Sequence, residues 1–457
     1  MNAQPIATTS TATPAVPYPS SAQSWYLVYT LLFFYIFSFI DRQIISLLVE
    51  PIKRDLQVTD TQIGLLQGIS FAILYCALGI PIGRLADRTN RKSIIAGGVV
   101  VWSIMATLCG LAKNFGQLFL ARIGVGVGEA ALSPAAYSMI TDAFPREKLG
   151  RAFSIYNMGI SIGSGVALLV GGLVVGAVSG EGKMFTLPFV GEVRAWQFVF
   201  IVTGAPGVLL PLLLLAVREP ARRGLITTTQ SIAPSQRIPL REVLRFMIAN
   251  RHFYSLHFIA MAMMAMLGYA VGAWLPTVMA RTYGVSVAQV GQVLGLSTLA
   301  ISTLGIFIAG RWCDRMTAKG ITDAPIRVCL AVAIAVVATS SLPAFMPTAV
   351  LGMTMMCIAG FPFHGYVAMG PMAVNQVTPN QMRAQVSAVY LFTVNLLGMG
   401  FGPALVPAIS DYILRDPMQI RWGLLIVVAG AGATAAILLW FARPVYRQQM
   451  AATAHWR

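Results

Sequence analysis

Four charged side chains in the first half of the sequence lie inside long apolar segments. They are Asp41, Arg42, Arg122 and Glu129, in a chain of 457 residues of which only 11% are charged. An ionisable side chain in the hydrocarbon layer costs at least about 2.5–3.5 kcal/mol unless it is paired, protonated or hydrated. Buried carboxyls beside guanidiniums can exchange protons, and an arginine can hold a phosphate or carboxylate through two hydrogen bonds.

Helix geometry brings these side chains to related depths. At about 1.5 Å per residue, Asp41 lies about 24 Å along its segment from Trp25. Arg122 lies about 10 Å along a segment that descends from Phe115. The two side chains are therefore at similar depth and could form a pair. Glu129 follows Arg122 by two helical turns on the same stripe, near the middle of the membrane.

These positions suggest one functional and one structural hypothesis. In the first, Asp41 and Glu129 carry protons, while Arg122 or Arg42 binds the anionic head of a substrate. In the second, the four residues form a permanent salt-bridge network that orients the first and fourth helices. The structural alternative weighs most for Arg42, which is adjacent to Asp41 and so points about 100° away around the helix.

The second half offers amphipathic candidates instead of buried charges. Aromatic and polar side chains lie near the middle of three apolar segments, and we expect them to contact substrate: Tyr269, Trp274, Phe361, His364 and Asn395. A hydrogen-bonded structural histidine is the alternative for His364. A cavity with charged residues from the first half and apolar residues from the second suits a substrate with an anionic head and a hydrophobic tail.

The elements that position these residues are apolar stretches of membrane-spanning length. With 57% hydrophobic residues and a mean hydropathy of +0.73, the chain is far more apolar than a soluble domain. The stretches predict twelve transmembrane helices, and hence an all-α polytopic membrane protein, at 25–49, 61–82, 93–112, 115–141, 152–177, 195–217, 252–280, 287–310, 326–346, 348–376, 385–412 and 422–441.

Polar segments divide these helices into domains. We expect a disordered cytoplasmic tail at 1–24, a six-helix bundle at 25–217, a linker at 218–251, a second bundle at 252–441 and a cytoplasmic tail at 442–457. The stretch 237–245 could form an amphipathic helix on the membrane surface or remain a solvated linker. The tail at 1–24 has no Lys or Arg, so it is not a signal peptide.

The net charge of +16 reflects topology, not nucleic-acid binding. Most of the 32 Lys and Arg residues fall in alternate short loops, which predicts that both termini are cytoplasmic. The five cysteines lack CxxC spacing and histidine partners, so we expect neither disulfides nor a metal site. Short loops and the absence of an N-x-S/T sequon favour a bacterial inner membrane.

A short motif repeats half a chain apart. GRLADR at 83–88 returns as GRWCDR at 310–315, each time after a long apolar run. A repeat of this period indicates two similar bundles of six helices, the architecture of secondary transporters that rock about a central site.

The first copy extends to GxxxDRxxRK over 83–92, and through it the chain resembles the major facilitator superfamily. The one departure is Asn90 where a glycine is usual, and we expect Asn90 to adopt the same left-handed turn. The resemblance implies that this loop, and its echo in the second half, hold the outward-open state by contacts that form only when the cytoplasmic ends are close. The gating residues it implies are Gly83, Asp87, Arg88, Arg91, Asp314 and Arg315.

A narrower resemblance is to the Spinster family of lipid transporters. It rests on FIDRQ at 39–43, GLL at 64–66 with Pro81, and RIGVGVGEA at 122–130 with Pro134. The resemblance implies transport of a lysolipid or a sphingoid phosphate, driven by a proton gradient without a cofactor. GxxxGP at 398–403 resembles the motif of drug/proton antiporters, although it falls in helix eleven, so export of amphipathic drugs is the alternative.

Other classes fit less well. The chain has no HExxH, GxSxG or paired histidine stripe, so we expect no enzymatic activity. An uncoupled lipid facilitator shares the same architecture and stays open as a further alternative. We expect a monomer in the lipid bilayer with a small amphipathic substrate.

Overall fold

The computed structural model describes residues 18–178, 184–188, 191–222, 239–340, 342–379 and 382–452. Within them, twelve helical segments are long and apolar enough to cross a membrane, which confirms the all-α polytopic fold. We number these spans one to twelve in chain order: Ser21–Leu47, Asp60–Ala86, Arg91–Cys109, Phe115–Ala143, Arg151–Gly176, Ala195–Ala216, Arg251–Tyr283, Val287–Ala318, Ala324–Phe345, Ala349–Gln376, Gln385–Ile413 and Pro417–Ala452.

The spans are built from α-helices with short 3-10 or π turns between some of them. In chain order the α-helices are α1 (Ser21–Gln43), α2 (Val49–Leu56), α3 (Asp60–Gln67), α4 (Ile69–Arg88), α5 (Arg91–Cys109), α6 (Phe115–Glu129), α7 (Leu132–Ala143), α8 (Arg146–Val178), α9 (Ala195–Gly204), α10 (Leu240–Ala249), α11 (Arg251–Tyr283), α12 (Val287–Ser297), α13 (Thr303–Ala318), α14 (Ala324–Ser340), α15 (Ala349–Phe363), α16 (Tyr366–Gln376), α17 (Arg383–Ala408) and α18 (Ile420–Ala452).

Three connecting segments differ from the sequence predictions. A small antiparallel hairpin, β1 (Met184–Leu187) with β2 (Gly191–Arg194), lies between spans five and six and was not predicted. The linker holds the short helix α10, which begins and ends slightly later than the stretch 237–245. Residues 1–17 lie outside the described part of the chain, and α1 begins within the predicted tail, capped by Ser20.

Turns break spans two, four and ten into two helices each, whereas the two helices of span eight are joined by a π-helical segment, Thr298–Ser302. The breaks fall at Gly68, at Ala130–Ala131 and at His364–Gly365. A helix break frees backbone groups that need partners, so inside a membrane it is tolerated only where protein or water satisfies them. Glu129 is the last residue of α6, and His364 caps α15 at the equivalent break of the second half. Glu129 and His364 therefore both lie at helix breaks, where polar groups can be tolerated inside the membrane.

The two halves approach most closely at one end of the bundle, the end that carries Asp60 and Arg281. We call this the sealed end, and the opposite end, which carries Ser21 and Asp323, the termini end. Close packing across the halves joins α3 to α17 and α8 to α12. A Cβ added to Gly64 would lie 2.5 Å from the Pro403 carbonyl oxygen, so the two backbones are in direct contact.

Other glycines supply further contacts of this kind. A Cβ on Gly68 would lie 2.6 Å from the Gly400 oxygen, and one on Gly172 would lie 2.8 Å from the Ala288 oxygen. Small residues allow such close packing in membranes. The sealed end is thus held by backbone contacts between spans two and eleven and between spans five and eight.

Candidate functional site

The central ion pair of the first half joins Arg42 of span one to Glu129 of span four. The Nε of Arg42 donates to Oε2 of Glu129 at 2.6 Å, and its Nη2 pairs with the same oxygen. Ser38 donates a further hydrogen bond to this oxygen at 2.5 Å. The side chain of Glu129 is fully buried, whereas that of Arg42 is 13% exposed. Within the pair, only the Arg42 guanidinium side chain is therefore accessible, and only in small part.

Aromatic rings surround the Arg42 guanidinium. Its central carbon lies 5.0 Å from the ring centre of Phe39, 4.6 Å from that of Phe71 and 5.0 Å from that of Tyr75. Ring faces attract cations, most strongly where water is scarce. A planar guanidinium can be paired and stacked at once in a way that an ammonium cannot. The site therefore selects arginine at position 42.

Asp41 lies beside this pair but does not share in it. The residue is 3% exposed, and its Oδ1 has no hydrogen-bond partner in the described part of the chain. Asp41 and Arg122 could have paired, but their side chains form no ion pair in this structure. Arg122 donates instead to the backbone oxygen of Asp41, at 3.1 Å.

Arg122 satisfies two helix ends. Its Nε donates to the Leu66 oxygen at 3.4 Å, and Leu66 lies in the last turn of α3, just before the break at Gly68. Asp41 likewise lies in the last turn of α1. Carbonyls in the last turn of a helix lack intrahelical partners. The fully buried Arg122 thus acts as a structural cap in this conformation, and Arg42 is the arginine that stays accessible.

The second-half candidates divide by exposure. Tyr269 of span seven is half-buried and interacts electrostatically with Arg42 of span one. Phe361 is 37% exposed, and Asn395 and His364 are half-buried. Trp274 is fully buried, and its indole N–H donates to the Pro403 oxygen at 2.6 Å, so it stabilises its own half here.

A second intramembrane histidine was not among the predicted site residues. His257 of span seven is fully buried, and its Nε2 lies 2.9 Å from the Gly370 oxygen of span ten. It stacks on Phe253, with ring centres 5.3 Å apart. These contacts give His257 a structural place in the second bundle. Its position within an apolar segment was the available signal.

Polar contacts at the sealed end were also missed. Arg281 of span seven binds both carboxylate oxygens of Asp60, at 2.7 and 2.9 Å, and its Nε donates to Glu50 at 2.7 Å. Lys53 pairs with the same Asp60 at 2.6 Å. These residues lie at the ends of apolar segments. The sequence therefore predicts that they are charged loop residues, but it does not predict which of them pair.

A second contact across the halves lies nearby. The hydroxyl and backbone N–H of Thr61 donate to Oδ2 of Asp411 in span eleven, at 2.7 and 2.9 Å. Asp411 was not among the predicted intramembrane charges. Together with Arg281, it adds charge-assisted hydrogen bonds to the backbone contacts at the sealed end.

The loop motif at the termini end makes its buried contacts through Arg91. Arg91 is fully buried; it pairs with Asp142 at the end of span four and with Glu219 after span six, and it donates to the Pro220 oxygen at 2.7 Å. All of these partners belong to the first half or its adjoining linker. In this conformation Arg91 therefore holds the termini end of the first half together, and the expectation that it latches the outward-open state stays a prediction.

The other motif residues are placed as follows. Arg88, Asp314 and Arg315 are exposed, and the side chain of Asp87 lies outside the described residues. Asn90 is not left-handed: with φ −69° it caps α5 by accepting a hydrogen bond from the Ser93 N–H. Asparagine thus caps this helix through a side-chain hydrogen bond, for which a glycine has no acceptor.

Comparison with known proteins fits this architecture. The sequence profile of the Major Facilitator Superfamily matches residues 31–403. An MFS-type efflux pump of Mycolicibacterium smegmatis is 28% identical over 94% of each chain. The sphingosine-1-phosphate transporter SPNS2 of Xenopus tropicalis is 27% identical over 83% of this chain and 72% of its own length.

A solved structure gives the same picture. The inward-facing, unoccupied form of a bacterial homologue of the human lysosomal transporter Spinster matches with a TM-score of 0.74 and 27% identity. The match covers 96% of this chain and 99% of the other. With twelve spans, a matching profile and these relatives, the chain belongs to the major facilitator superfamily of transporters and resembles its Spinster members.

Proposed function

We propose that the protein is a proton-coupled secondary transporter that works by alternating access on an amphipathic anionic lipid. The observation that supports this most is the contrast between its two buried carboxyls. Glu129 pairs with Arg42, whereas Asp41 lacks a cationic side-chain partner in the described residues. An unpaired carboxylate in a membrane is costly, so we infer that Asp41 is the neutral acid in this conformation.

The two walls of the site support the proposed substrate class. Arg42 offers a partly exposed guanidinium to an anionic head, and the second half offers Tyr269 and Phe361 to an apolar chain. Substrate binding would compete with Glu129 for Arg42, and protonation of Glu129 would remove that competition. A lysophospholipid or a sphingoid phosphate has this chemistry, and the relative from Xenopus is named for sphingosine-1-phosphate.

The conformation supports alternating access. With the sealed end packed through Gly64 and Arg281, the site would be reached from the termini end. We take the termini end as cytoplasmic, from the distribution of Lys and Arg in the loops, in a bacterial inner membrane. The structure is then inward-facing, as is the matching structure of the bacterial Spinster homologue.

Transport in proteoliposomes with an imposed pH gradient tests the proposal. Wild-type protein should accumulate a labelled lysophospholipid or sphingoid phosphate against its gradient, and E129Q should lose this accumulation at least tenfold while retaining binding. E242Q in α10, outside the spans, is the matched control and should transport normally. Full gradient-driven accumulation by E129Q would remove Glu129 from the mechanism.

A drug/proton antiporter is the second candidate, because the relative from Mycolicibacterium is an efflux pump similar over nearly its whole length. The same vesicles distinguish the two. A carrier of anionic lipids should not move hydrophobic cations, whereas an antiporter should export them when protons flow the other way. Movement of lipid without response to the gradient would instead identify an uncoupled facilitator.

A further inference from the structure

Three arginines converge on one buried carboxylate at the termini end of the second half. Asp323, 1% exposed, precedes α14, and its Oδ1 accepts from the Nε of Arg327 at 2.9 Å. Its Oδ2 accepts from Arg443 at 3.2 Å and from Arg447 at 2.9 Å, both on α18. We call these four residues the Asp323 cluster.

The Asp323 cluster has a surplus of positive charge. Burial raises the pKa of Asp323, but hydrogen bonds from Arg447, Arg443 and Arg327 outweigh this and lower the pKa below its usual range. The carboxylate is therefore charged at neutral pH and offsets one of three guanidiniums. Each guanidinium has five N–H donors, and one carboxylate cannot satisfy fifteen. The side chains of Arg327 and Arg447 are 37% and 47% exposed, so their remaining donors can be reached.

The equivalent place in the first half is built differently. There, among the described contacts, one fully buried arginine, Arg91, pairs with two carboxylates, Asp142 and Glu219. The Arg91 contacts link the start of span three to the end of span six, and the Asp323 cluster links the start of span nine to the end of span twelve. One arginine is enough for such a link in the first half, so the link alone does not explain why the Asp323 cluster has three arginines.

The Asp323 cluster lies where the bilayer meets water. Asp323 directly precedes the apolar span Ala324–Phe345. Arg443 stacks on the ring of Trp440, with 5.0 Å between its central carbon and the ring centre. Trp440 and Phe441 are each 59% exposed on an apolar span. Tryptophan is enriched at the level of the lipid headgroups, so the cluster stands at the depth of lipid phosphates.

We propose that the Asp323 cluster binds the phosphate of an anionic membrane phospholipid, separately from the transport site. Arg327 and Arg447 supply bidentate donors to the phosphate, while Trp440 and Phe441 lie along the acyl chains. Arginine forks match phosphate geometry, and surplus cations attract anionic lipid in proportion to their number. The partner is a resident bilayer lipid, not the transported substrate.

Lipid binding to the full-length protein in detergent, followed by native mass spectrometry, tests this. Wild type should bind phosphatidylglycerol at least tenfold more tightly than phosphatidylcholine. R447Q should weaken phosphatidylglycerol binding about fivefold and R327Q/R447Q about 25-fold, from the usual contribution of each arginine at a membrane surface. R421Q, at the opposite end of α18 and also beside a tryptophan, is the matched control and should change binding less than twofold.

Each other outcome argues against the proposal. If R327Q/R447Q and R447Q keep the preference for phosphatidylglycerol, or if R421Q removes as much of it, the Asp323 cluster is not the site. If glycerol 3-phosphate displaces the lipid at millimolar concentration, the cluster is a soluble-anion site. Size-exclusion profiles confirm folding, and R447Q, altered at the most exposed arginine, decides the question if the double variant aggregates. The assay measures no transport, so its result is independent of the transport proposal.

Discussion

At the scale of single residues, two neighbouring carboxyls are buried to a similar extent but differ in whether they form an ion pair. Asp41 and Glu129 are both at most 3% exposed. Glu129 has Arg42 and Ser38 on one oxygen, whereas Oδ1 of Asp41 has no hydrogen-bond partner in the described residues. Removing one partner of a buried ion pair leaves the other charge uncompensated. Replacing an unpaired neutral acid by an amide of the same shape leaves no such charge.

This contrast predicts effects of different size on stability. D41N should change the free energy of unfolding by less than about 1 kcal/mol, whereas E129Q should lower it by about 3 kcal/mol because Arg42 loses its anion. Thermal unfolding in detergent, followed by tryptophan fluorescence, measures the difference. The double variant R42Q/E129Q is the control and should recover much of the loss, since it removes both charges. A larger loss for D41N than for E129Q would show that Asp41 is the ionised partner.

At the scale of helices, glycines determine where the halves can meet. Gly64 contacts Pro403 through the backbone, whereas Gly79, on the same span, would have no atom within 4 Å of an added Cβ. The two positions thus separate the effect of a methyl group at the contact from its effect on the helix itself.

We expect G64A to disfavour closure of the sealed end. A Cβ 2.5 Å from the Pro403 oxygen cannot be accommodated by a side-chain shift, so spans two and eleven must separate. A cysteine placed in the site at Asn395 should then react with an impermeant maleimide from the sealed end at least fivefold faster than in the parent. G79A in the same background should react at the parent rate, and equal rates for all three proteins would mean that this contact does not seal the bundle.

Spans could be predicted from the sequence, but their contacts could not. Hydropathy alone placed the twelve helices, because the bilayer fixes their length. It also singled out Asp41, Arg42, Arg122 and Glu129, because intramembrane charge is rare. The pairing of Arg42 with Glu129 depends on side-chain directions around a helix that ends at Gln43, which depth estimates do not give. Asp60 and Arg281 are far apart in the sequence and come into contact only in the folded protein, so their pairing could not be predicted.

At the scale of the whole molecule, the proposed orientation places the β1–β2 hairpin outside the cell and α10 inside. Thr186 and Glu242 are exposed positions in these elements. T186C should react with an impermeant maleimide in intact cells, whereas E242C should react only after the membrane is made permeable. The reverse pattern would invert the topology and place the sealed end in the cytoplasm. The two variants serve as controls for each other.

Alternating access further requires that the halves move as rigid bodies about the central site, so opening one end must close the other. Arg281 holds Asp60 and Glu50 across the sealed end, and R281Q removes these charge-assisted contacts. Spin labels at Arg54 and Met418 should then move apart at the sealed end, while labels at Arg84 and Lys319 move closer at the termini end. R194Q, which breaks a pair with Asp55 inside the first half, should change neither distance. If the sealed end opened while the termini end kept its distances, the change would be a local loosening, and the rocking of two bundles would lose its support.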